Sequence, residues 1–217
     1  MPDKQYAMSW RSLLEATMAE TRQIRGSNYV QLSTLEGGEP RCRTIVFRGF
    51  LDLPSDHQLS SNKCDGLSTT LKMCTDMRSQ KAQQYDEANS TTELVWWFPT
   101  TSEQYRIRGQ LILVGGDSDD KALMSARREL WGNLRDATRE SFLTSVVPGE
   151  DYQEETASIP KGGRDEDGNP LPPPDTFLLM LLDPTHVDYL RLTGEQYRQI
   201  DSKTGGTGDW TSRRVNP

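Results

Sequence analysis

Histidine and cysteine are scarce in this sequence, whose 217 residues contain two histidines and three cysteines. Cys42, Cys64 and Cys74 form no Cys-x-x-Cys pair, and a structural zinc site needs about four ligands at characteristic spacings. We therefore expect no metal site. The odd number of cysteines also argues against a disulfide framework and favours buried thiols in a reducing compartment.

Long apolar runs are missing as well. No stretch approaches the run of about 20 apolar residues that a membrane-spanning helix needs. Residues 1–6 lack the basic and apolar regions of a signal peptide. Together these absences predict a cytoplasmic protein.

The chain also lacks a net positive charge, since its formal net charge is -7. Nucleic acid requires a basic face, so we expect no nucleic-acid partner. The arginines instead cluster in two stretches, Arg41 with Arg43 and Arg48, then Arg106 with Arg108. Local positive charge in an acidic protein favours a small anionic ligand. For any single arginine, however, a solvated strand face is an equally good explanation.

Neither a Gly-x-Gly-x-x-Gly loop nor a Walker loop is present, and strands do not alternate with helices as in a parallel sheet. The pattern predicts antiparallel strand pairs, with one helix at the front and helices inserted at two further points. We therefore expect one α+β domain over residues 1–217, built around a barrel.

Apolar periodicity and turn signals place the individual elements. Helices are predicted at residues 9–25, at 76–89 and from the acidic cluster 117–120 to about 143. Strands are predicted at 28–36, 40–51, 67–75, 93–98, 103–114, 176–182 and 186–192, with a last short strand around Trp210. A Gly37-Gly38 turn joins the first two strands into a hairpin. Residues 147–175, rich in proline, glycine and acids, are interpreted as an extended surface loop.

Four short pieces carry the candidate chemistry: Arg43-Thr-Ile-Val-Phe-Arg48, Thr75-Asp-Met-Arg-Ser-Gln-Lys81, Trp96-Trp-Phe-Pro99 and Gln104-Tyr-Arg-Ile-Arg-Gly109. Arginine and lysine suit a dianionic phosphate, and the start of a helix already favours an anion. A glutamine side chain offers the donor and the acceptor that the imide edge of a flavin requires. Taken singly, each piece is explained more simply by surface charges or core tryptophans.

The order of these pieces resembles the pyridoxamine 5'-phosphate oxidase-like FMN-binding split-barrel proteins, in the branch described as an FMN-binding domain. Two further pieces add to the likeness, Leu130-Trp-Gly-Asn-Leu-Arg-Asp136 and Trp210-Thr-Ser-Arg-Arg-Val-Asn-Pro217. The resemblance extends from Ser9 to Pro217, with 147–175 as an insertion. It implies an α+β fold, an antiparallel split β-barrel with flanking helices, and a homodimer with two FMN molecules in clefts between the subunits.

The same resemblance implies roles for individual residues. Arg43 and Lys81 would bind the FMN phosphate, with Thr75, Arg78 and Ser79 nearby. Thr44, Ile45 and Val46 would follow the edge of the ring, and Gln104 would reach its polar rim. The second subunit would contribute residues around Ala137, Thr138 and Tyr189.

Departures from the oxidases argue against pyridoxamine phosphate oxidase activity. The oxidases carry Lys in place of Arg48, Arg in place of Asn133 and Ser in place of Ala137, and an Arg-Leu-His segment near Tyr197-Arg-Gln199. Each charge-assisted bond that is lost is worth roughly 1.5–3 kcal/mol.

We therefore expect an FMN-dependent oxidoreductase of unknown substrate, with Arg48 as the active-site cation. A non-catalytic FMN carrier or sensor, and residual oxidase activity on pyridoxamine or pyridoxine 5'-phosphate, stay open as alternatives. His57 and His186 are expected to be structural.

Overall fold

A computed structural model describes residues 8–85, 90–204 and 209–217. The first seven residues, on which the signal-peptide argument rests, lie outside this range. None of the helices in the described segments combines the length and the apolar character that crossing a membrane requires.

The first element, α1 (Trp10–Thr21), begins where the sequence predicts. The Ser9 hydroxyl caps it by accepting a hydrogen bond from the backbone N–H of Ser12 at 3.2 Å. The helix ends four residues earlier than the predicted end at residue 25, and the chain then turns through Gly26, whose φ is +85°.

Antiparallel strands form the body of the molecule. In chain order they are β1 (Tyr29–Glu36), β2 (Glu39–Val46), β3 (Lys63–Cys64), β4 (Leu67–Ser68), β5 (Leu71–Asp76), β6 (Thr91–Phe98), β7 (Glu103–Val114), β8 (Phe177–Arg191), β9 (Tyr197–Lys203) and β10 (Trp210–Val215). Within the described residues, eight of them form one sheet in the order β10-β9-β8-β7-β6-β1-β2, with β5 paired to β8. The sheet is not closed, which makes the fold an α+β split barrel.

The β1–β2 hairpin confirms the predicted turn. Gly37 and Gly38 both have positive φ, and the register pairs Glu36 with Glu39. Strand β2 ends at Val46, earlier than predicted, because the chain changes partner beyond that point: the backbone N–H of Arg48 donates to the Lys72 carbonyl at 2.8 Å.

The two strands predicted at 176–182 and 186–192 form the single strand β8, and β9 was not predicted. A register shift between Arg108 and Gly109 lets β8 stay paired with β7 along its length. Gly109 is required there, because a Cβ atom at this position would lie 2.0 Å from the Asp183 carbonyl oxygen.

Two helix predictions need correction. Of the helix predicted at 76–89, only α2 (Gln80–Gln83) is present among the described residues, and 86–89 lie outside them. The long helix predicted to reach residue 143 is two helices, α3 (Lys121–Gly132) and α4 (Asp136–Leu143). The extended backbone of Arg135, with φ -67° and ψ 150°, separates them.

Two apolar clusters hold the structure together. One fills the barrel and includes Trp10, Phe47 and Trp96. The other packs α3 and α4 against the sheet through Trp131 and Phe177, whose ring centroids are 5.0 Å apart. The helices therefore cover one side of the barrel.

The segment from 144 to 176 contains no strand or α-helix, as the prediction of a surface loop at 147–175 requires. It is nevertheless fastened to the helices. The Arg139 guanidinium donates to the Gly162 carbonyl at 2.9 Å, and the Trp131 indole donates to the Leu171 carbonyl at 2.5 Å. That the whole chain forms one domain stays a prediction.

Candidate functional site

A cleft of about 250 Å³ lies where β2, α2 and the 144–176 segment meet. Among the described residues, two cations face it and the other lining residues are neutral. Its lining residues are Arg43, Ser79, Gln80, Lys81, Pro148 and Gly149. The structure therefore brings together the two residues expected to bind the FMN phosphate.

Arg43 is held in place by neutral acceptors. Its guanidinium donates to the Thr34 hydroxyl at 2.5 Å and to the Gln84 side-chain oxygen at 3.0 Å. Thr34 is opposite Arg41 in the hairpin register, which places it diagonally across from Arg43. The tight glycine turn therefore positions this arginine.

Lys81 is surrounded by hydroxyl groups. Its ammonium donates to the Thr75 hydroxyl at 3.0 Å and to the Ser79 hydroxyl at 3.2 Å, and these two oxygens lie 3.0 Å apart. Thr75 and Ser79 are almost completely buried, at 3% and 7% exposure. The site thus offers fixed hydroxyl groups beside a partly buried cation.

The electrostatics of the cleft favour an added anion. Burial lowers the pKa of the Lys81 ammonium, and the nearby Arg43 guanidinium lowers it further. Burial also lowers the pKa of Arg43. Within the described segments neither side chain forms an ion pair. Two partly buried like charges without a carboxylate partner are costly, and a bound anion would relieve that cost.

Arg78 does not belong with these two cations, contrary to expectation. Its guanidinium is paired with the Asp76 carboxylate at 2.7 Å and donates to the Thr144 carbonyl at 2.8 Å. It therefore connects the end of β5 to the start of the 144–176 segment, and its charge is already neutralised.

The four other candidate residues in β2 or just after it lie along one stretch of chain: Thr44, Ile45, Val46 and Arg48. Thr44 is exposed, Ile45 is buried, Val46 is half-buried and Arg48 is half-buried. Ile45 faces the core, so only its backbone is available to a ligand. Arg48 lies beyond the end of the strand, about 17 Å along an extended chain from Arg43.

Arg48 carries an unusual buried group. Its Nε is buried without a hydrogen-bond partner among the described residues. The Cys74 thiol lies close by: burial raises its pKa, while the charge of Arg48 acts in the opposite direction. Arg48 is therefore, after Arg43 and Lys81, a third cation without a carboxylate partner among the described residues.

The remaining predicted residues are spread more widely. Gln104 is half-buried on β7, paired in register with Trp97 of β6, and Thr138 is half-buried on α4. Tyr189 is 1% exposed in the barrel core, and its hydroxyl donates to the Glu103 carboxylate. A contact between Tyr189 and a cofactor held by a second subunit would require this core residue at the surface, so we withdraw that assignment.

Both histidines have structural contacts. His57 accepts a hydrogen bond from the Leu59 backbone at 3.1 Å and lies 2.8 Å from the Asp120 carboxylate, which itself caps α3. His186 contacts the Ser202 hydroxyl at 3.1 Å.

In the segments that the structure covers, no three His, Cys, Asp or Glu side chains are grouped as metal ligands would be. Cys42, Cys64 and Cys74 are free thiols, and Cys42 is exposed, contrary to the expectation of buried thiols.

Sequence reasoning missed five residues that line the cleft or hold Arg43 in place: Thr34, Gln80, Gln84, Pro148 and Gly149. Thr34 could have been found from the hairpin register, since a two-residue turn fixes which residues are paired. Gln84, Pro148 and Gly149 carry no comparable signal, because they reach the cleft through tertiary packing of a short helix and an irregular segment.

The open antiparallel barrel, with its likeness to a solved FMN-binding protein, defines a protein of the FMN-binding split-barrel class. Residues 7–115 match the family described as pyridoxamine 5'-phosphate oxidase, FMN-binding domain. The chain belongs to this family, and FMN is its cofactor.

Similar proteins extend the likeness over the whole chain. Pyridoxine/pyridoxamine 5'-phosphate oxidase 2 of Arabidopsis thaliana is 30% identical over 212 residues, which cover 96% of each protein. The crystal structure of a pyridoxamine 5'-phosphate oxidase-related FMN-binding protein from Nostoc punctiforme is 33% identical, covers 98% of this chain and 99% of its own, and superposes with a TM-score of 0.78. PhzG from Burkholderia lata, at 16% identity, covers 100% of this chain and 97% of its own with a TM-score of 0.69, and so shares the fold.

Proposed function

We propose that this protein is an FMN-dependent oxidoreductase in which Arg43 and Lys81 hold the cofactor phosphate. The observation that carries the assignment is the carboxylate-free pair of cations in the cleft, with the pKa of Lys81 lowered by burial and by Arg43. A phosphate dianion would accept charge-assisted hydrogen bonds from both side chains. The Ser79 hydroxyl donates to the Asp76 carbonyl at 2.7 Å and would have to turn to reach the phosphate. Thr75 keeps Lys81 directed into the cleft.

From this anchor, we place the ring-binding groups along the strand. The backbone of Thr44, Ile45 and Val46 would follow the edge of the ring, and Arg48 would supply a cation at its far end. FMN would contribute hydride-transfer chemistry, while the chain binds and orients it. The partly buried guanidinium of Arg48, whose Nε has no hydrogen-bond partner among the described residues, suits either the anionic reduced flavin or the carboxylate of a substrate.

We further propose that the protein is a cytoplasmic homodimer with the cofactor between the subunits. The homodimer is supported by large apolar side chains exposed on the outer face of the sheet, where Trp97 is 40% exposed and Leu35 is 61% exposed. Gln104 lies beside Trp97 on this face, and its side chain has no partner within the described residues. A second copy covering this face would bury these apolar groups and bring Gln104 to the cofactor. Thr138, at the half-buried start of α4, is the contribution proposed from the other subunit.

Oxidation of pyridoxamine or pyridoxine 5'-phosphate is the second candidate, favoured by the name of the Arabidopsis relative. The positions expected to grip that substrate argue against it. Asn133 caps the C-terminal end of α3 and Ala137 is exposed on α4, so neither provides the cation or hydroxyl of the oxidases. The third candidate function is that of a non-catalytic FMN carrier or sensor.

Reduction of the bound flavin separates these candidates. The protein is loaded with FMN, and its visible spectrum is followed under anaerobic conditions after addition of NADPH, NADH or pyridoxamine 5'-phosphate. Bleaching by a nicotinamide followed by reoxidation in air is the expected result. Bleaching by pyridoxamine 5'-phosphate alone would identify an oxidase, and an unchanged spectrum with every reductant would favour the carrier.

A further inference from the structure

A second, larger cavity is lined by Phe47, the residue that follows the end of β2. It has a volume of about 690 Å³ and lies between the α1–β1 connection and the start of α4. Two aromatic side chains that are almost fully buried, Phe47 and Trp96, form part of its wall, and Tyr29, 46% exposed, stands at its rim. Cavities of this volume accommodate small ligands.

The charges around this cavity all have one sign. Arg22, Arg25 and Arg135 line it, and none of its lining residues is an aspartate or a glutamate. The chain as a whole is acidic, with 32 carboxylates against 25 cations. Within residues 8–85, 90–204 and 209–217, none of the three guanidinium groups forms a hydrogen bond or an ion pair.

These arginines come from two distant segments of the chain. A cation is favourable beside the C-terminal end of α1, which could account for Arg22 and Arg25 alone. Arg135 precedes α4, however, and the dipole at the start of a helix does not favour a cation there. Three exposed arginines from two segments therefore line one cavity and give it a positive potential, which favours an anionic ligand.

The wall of the cavity is fixed by the fold. The Trp96 indole donates to the Ser27 carbonyl at 2.7 Å, and the backbone N–H of Tyr29 donates to the Gly26 carbonyl at 2.9 Å. The positive φ of Gly26 makes this turn possible. The connection that carries Arg22 and Arg25 is therefore held against the barrel, which lowers the entropic cost of binding.

We propose that this cavity binds a small anionic molecule with a planar aromatic body. Arginine forms bidentate contacts with carboxylates and phosphates, and the aromatic side chains suit the apolar part of such a ligand. None of the residues that line the cleft of Arg43 and Lys81 lines this cavity. The inference therefore stands or falls independently of the FMN phosphate assignment.

The test uses anilinonaphthalene sulfonate, an anion with aromatic rings, titrated into the full-length protein saturated with FMN and followed by calorimetry. One saturable site per chain is expected. The Arg22→Gln/Arg25→Gln double variant and the Arg135→Gln variant should each weaken binding about tenfold or more, because each removes charge-assisted contacts. N-phenylnaphthylamine, which has the same rings without the sulfonate, should bind much more weakly.

Arg128→Gln is the matched control, because Arg128 is exposed on α3 and does not line the cavity. Its affinity for the probe should equal that of the wild type. Circular dichroism verifies that all variants are folded. Equal affinity in every variant, equal binding of the uncharged probe, or no binding because a second copy covers the cavity would each overturn the proposal.

Discussion

At the scale of single residues, the site depends on what surrounds each cation rather than on the cations themselves. Arg78 and Lys81 are three positions apart, yet Arg78 is neutralised by Asp76 while Lys81 contacts only hydroxyl groups. Only the second arrangement leaves charge available for a phosphate. The difference arises from the turn that follows β5, and the spacing of the residues in the sequence does not predict it.

The lowered pKa of Lys81 predicts a pH dependence of FMN binding. The protonated ammonium binds the phosphate, so affinity should fall as the pH rises through a pKa that lies below the ordinary value for lysine. Binding should accordingly be accompanied by proton uptake in that range. The measurement is the FMN dissociation constant at intervals from about pH 7 to about pH 10.

Lys81→Arg is the control for this effect, because arginine stays charged throughout that range. The variant should lose the alkaline decline in affinity. The same decline in the wild type and the variant would assign the titration to another group.

At the scale of structural elements, the 144–176 segment has a defined attachment beside the cleft. The Glu155 carboxylate accepts hydrogen bonds from Thr144, from the Ser145 backbone at 2.8 Å and from the Ala157 backbone at 2.7 Å. These hydrogen bonds lower the pKa of Glu155 to about 2, and the bond from the Thr144 hydroxyl contributes most. The carboxylate therefore fixes both ends of the stretch that brings Pro148 and Gly149 to the cleft.

Glu155→Gln should accelerate the release of FMN. The amide keeps one acceptor but loses the charge, so the hydrogen bonds that hold the segment beside the cleft become weaker. Stopped-flow measurement of FMN dissociation checks this. Because the pKa is lowered, the contribution of Glu155 is present at neutral pH and is lost only as the pH falls from the usual glutamate value towards about 2.

Glu154→Gln is the neighbouring control, since Glu154 is exposed and has no side-chain contact within the described residues. It should leave the dissociation rate unchanged. If both variants release FMN at the wild-type rate, the segment does not retain the cofactor.

The β7–β8 pairing predicts a large effect of a single methyl group. Gly109→Ala places a Cβ atom 2.0 Å from the Asp183 carbonyl oxygen, so one of the two longest strands must shift. We expect a loss of about 2 kcal/mol or more in the free energy of unfolding, measured by urea denaturation.

Gly132→Ala provides the comparison, because no atom lies within 4 Å of the added methyl group and the residue is helical. It should be neutral or stabilising by up to about 1 kcal/mol. If Gly109→Ala were no less stable than Gly132→Ala, the clash at Gly109 would be relieved by small shifts of the backbone, and the prediction would be wrong.

Elements with strong local signals were predicted well from the sequence. The glycine turn between β1 and β2 and the alternation of β6 and β7 are examples. Boundaries decided by tertiary contacts were not: residues 47–51 leave β1 for β5, and the predicted long helix divides at Gly132. In the site, the structure brings Arg43 and Lys81 to one cleft, and their binding of the phosphate stays a prediction. Tyr189 lies in the core, and burial there cannot be read from its local pattern.

At the scale of the whole molecule, the proposed FMN site lies between two copies of the chain. The exposed Trp97 should lie between subunits, so Trp97→Glu is expected to convert a dimer into a monomer and to weaken FMN binding at the same time. Light scattering coupled to gel filtration measures the mass. Tyr152→Glu, at a residue 89% exposed in the 144–176 segment, should change neither property. A wild-type protein with the mass of one chain would contradict the dimer.

The FMN dissociation constant of four proteins tests the central claim most directly: the wild type, Arg43→Ala, Lys81→Ala and Asn133→Ala. Removal of either cation should weaken binding by about 10- to 150-fold, corresponding to roughly 1.5–3 kcal/mol, while Asn133→Ala should bind as the wild type does. Equal affinity in all four would place the phosphate elsewhere, and a colourless protein that fails to bind added FMN would contradict the account altogether.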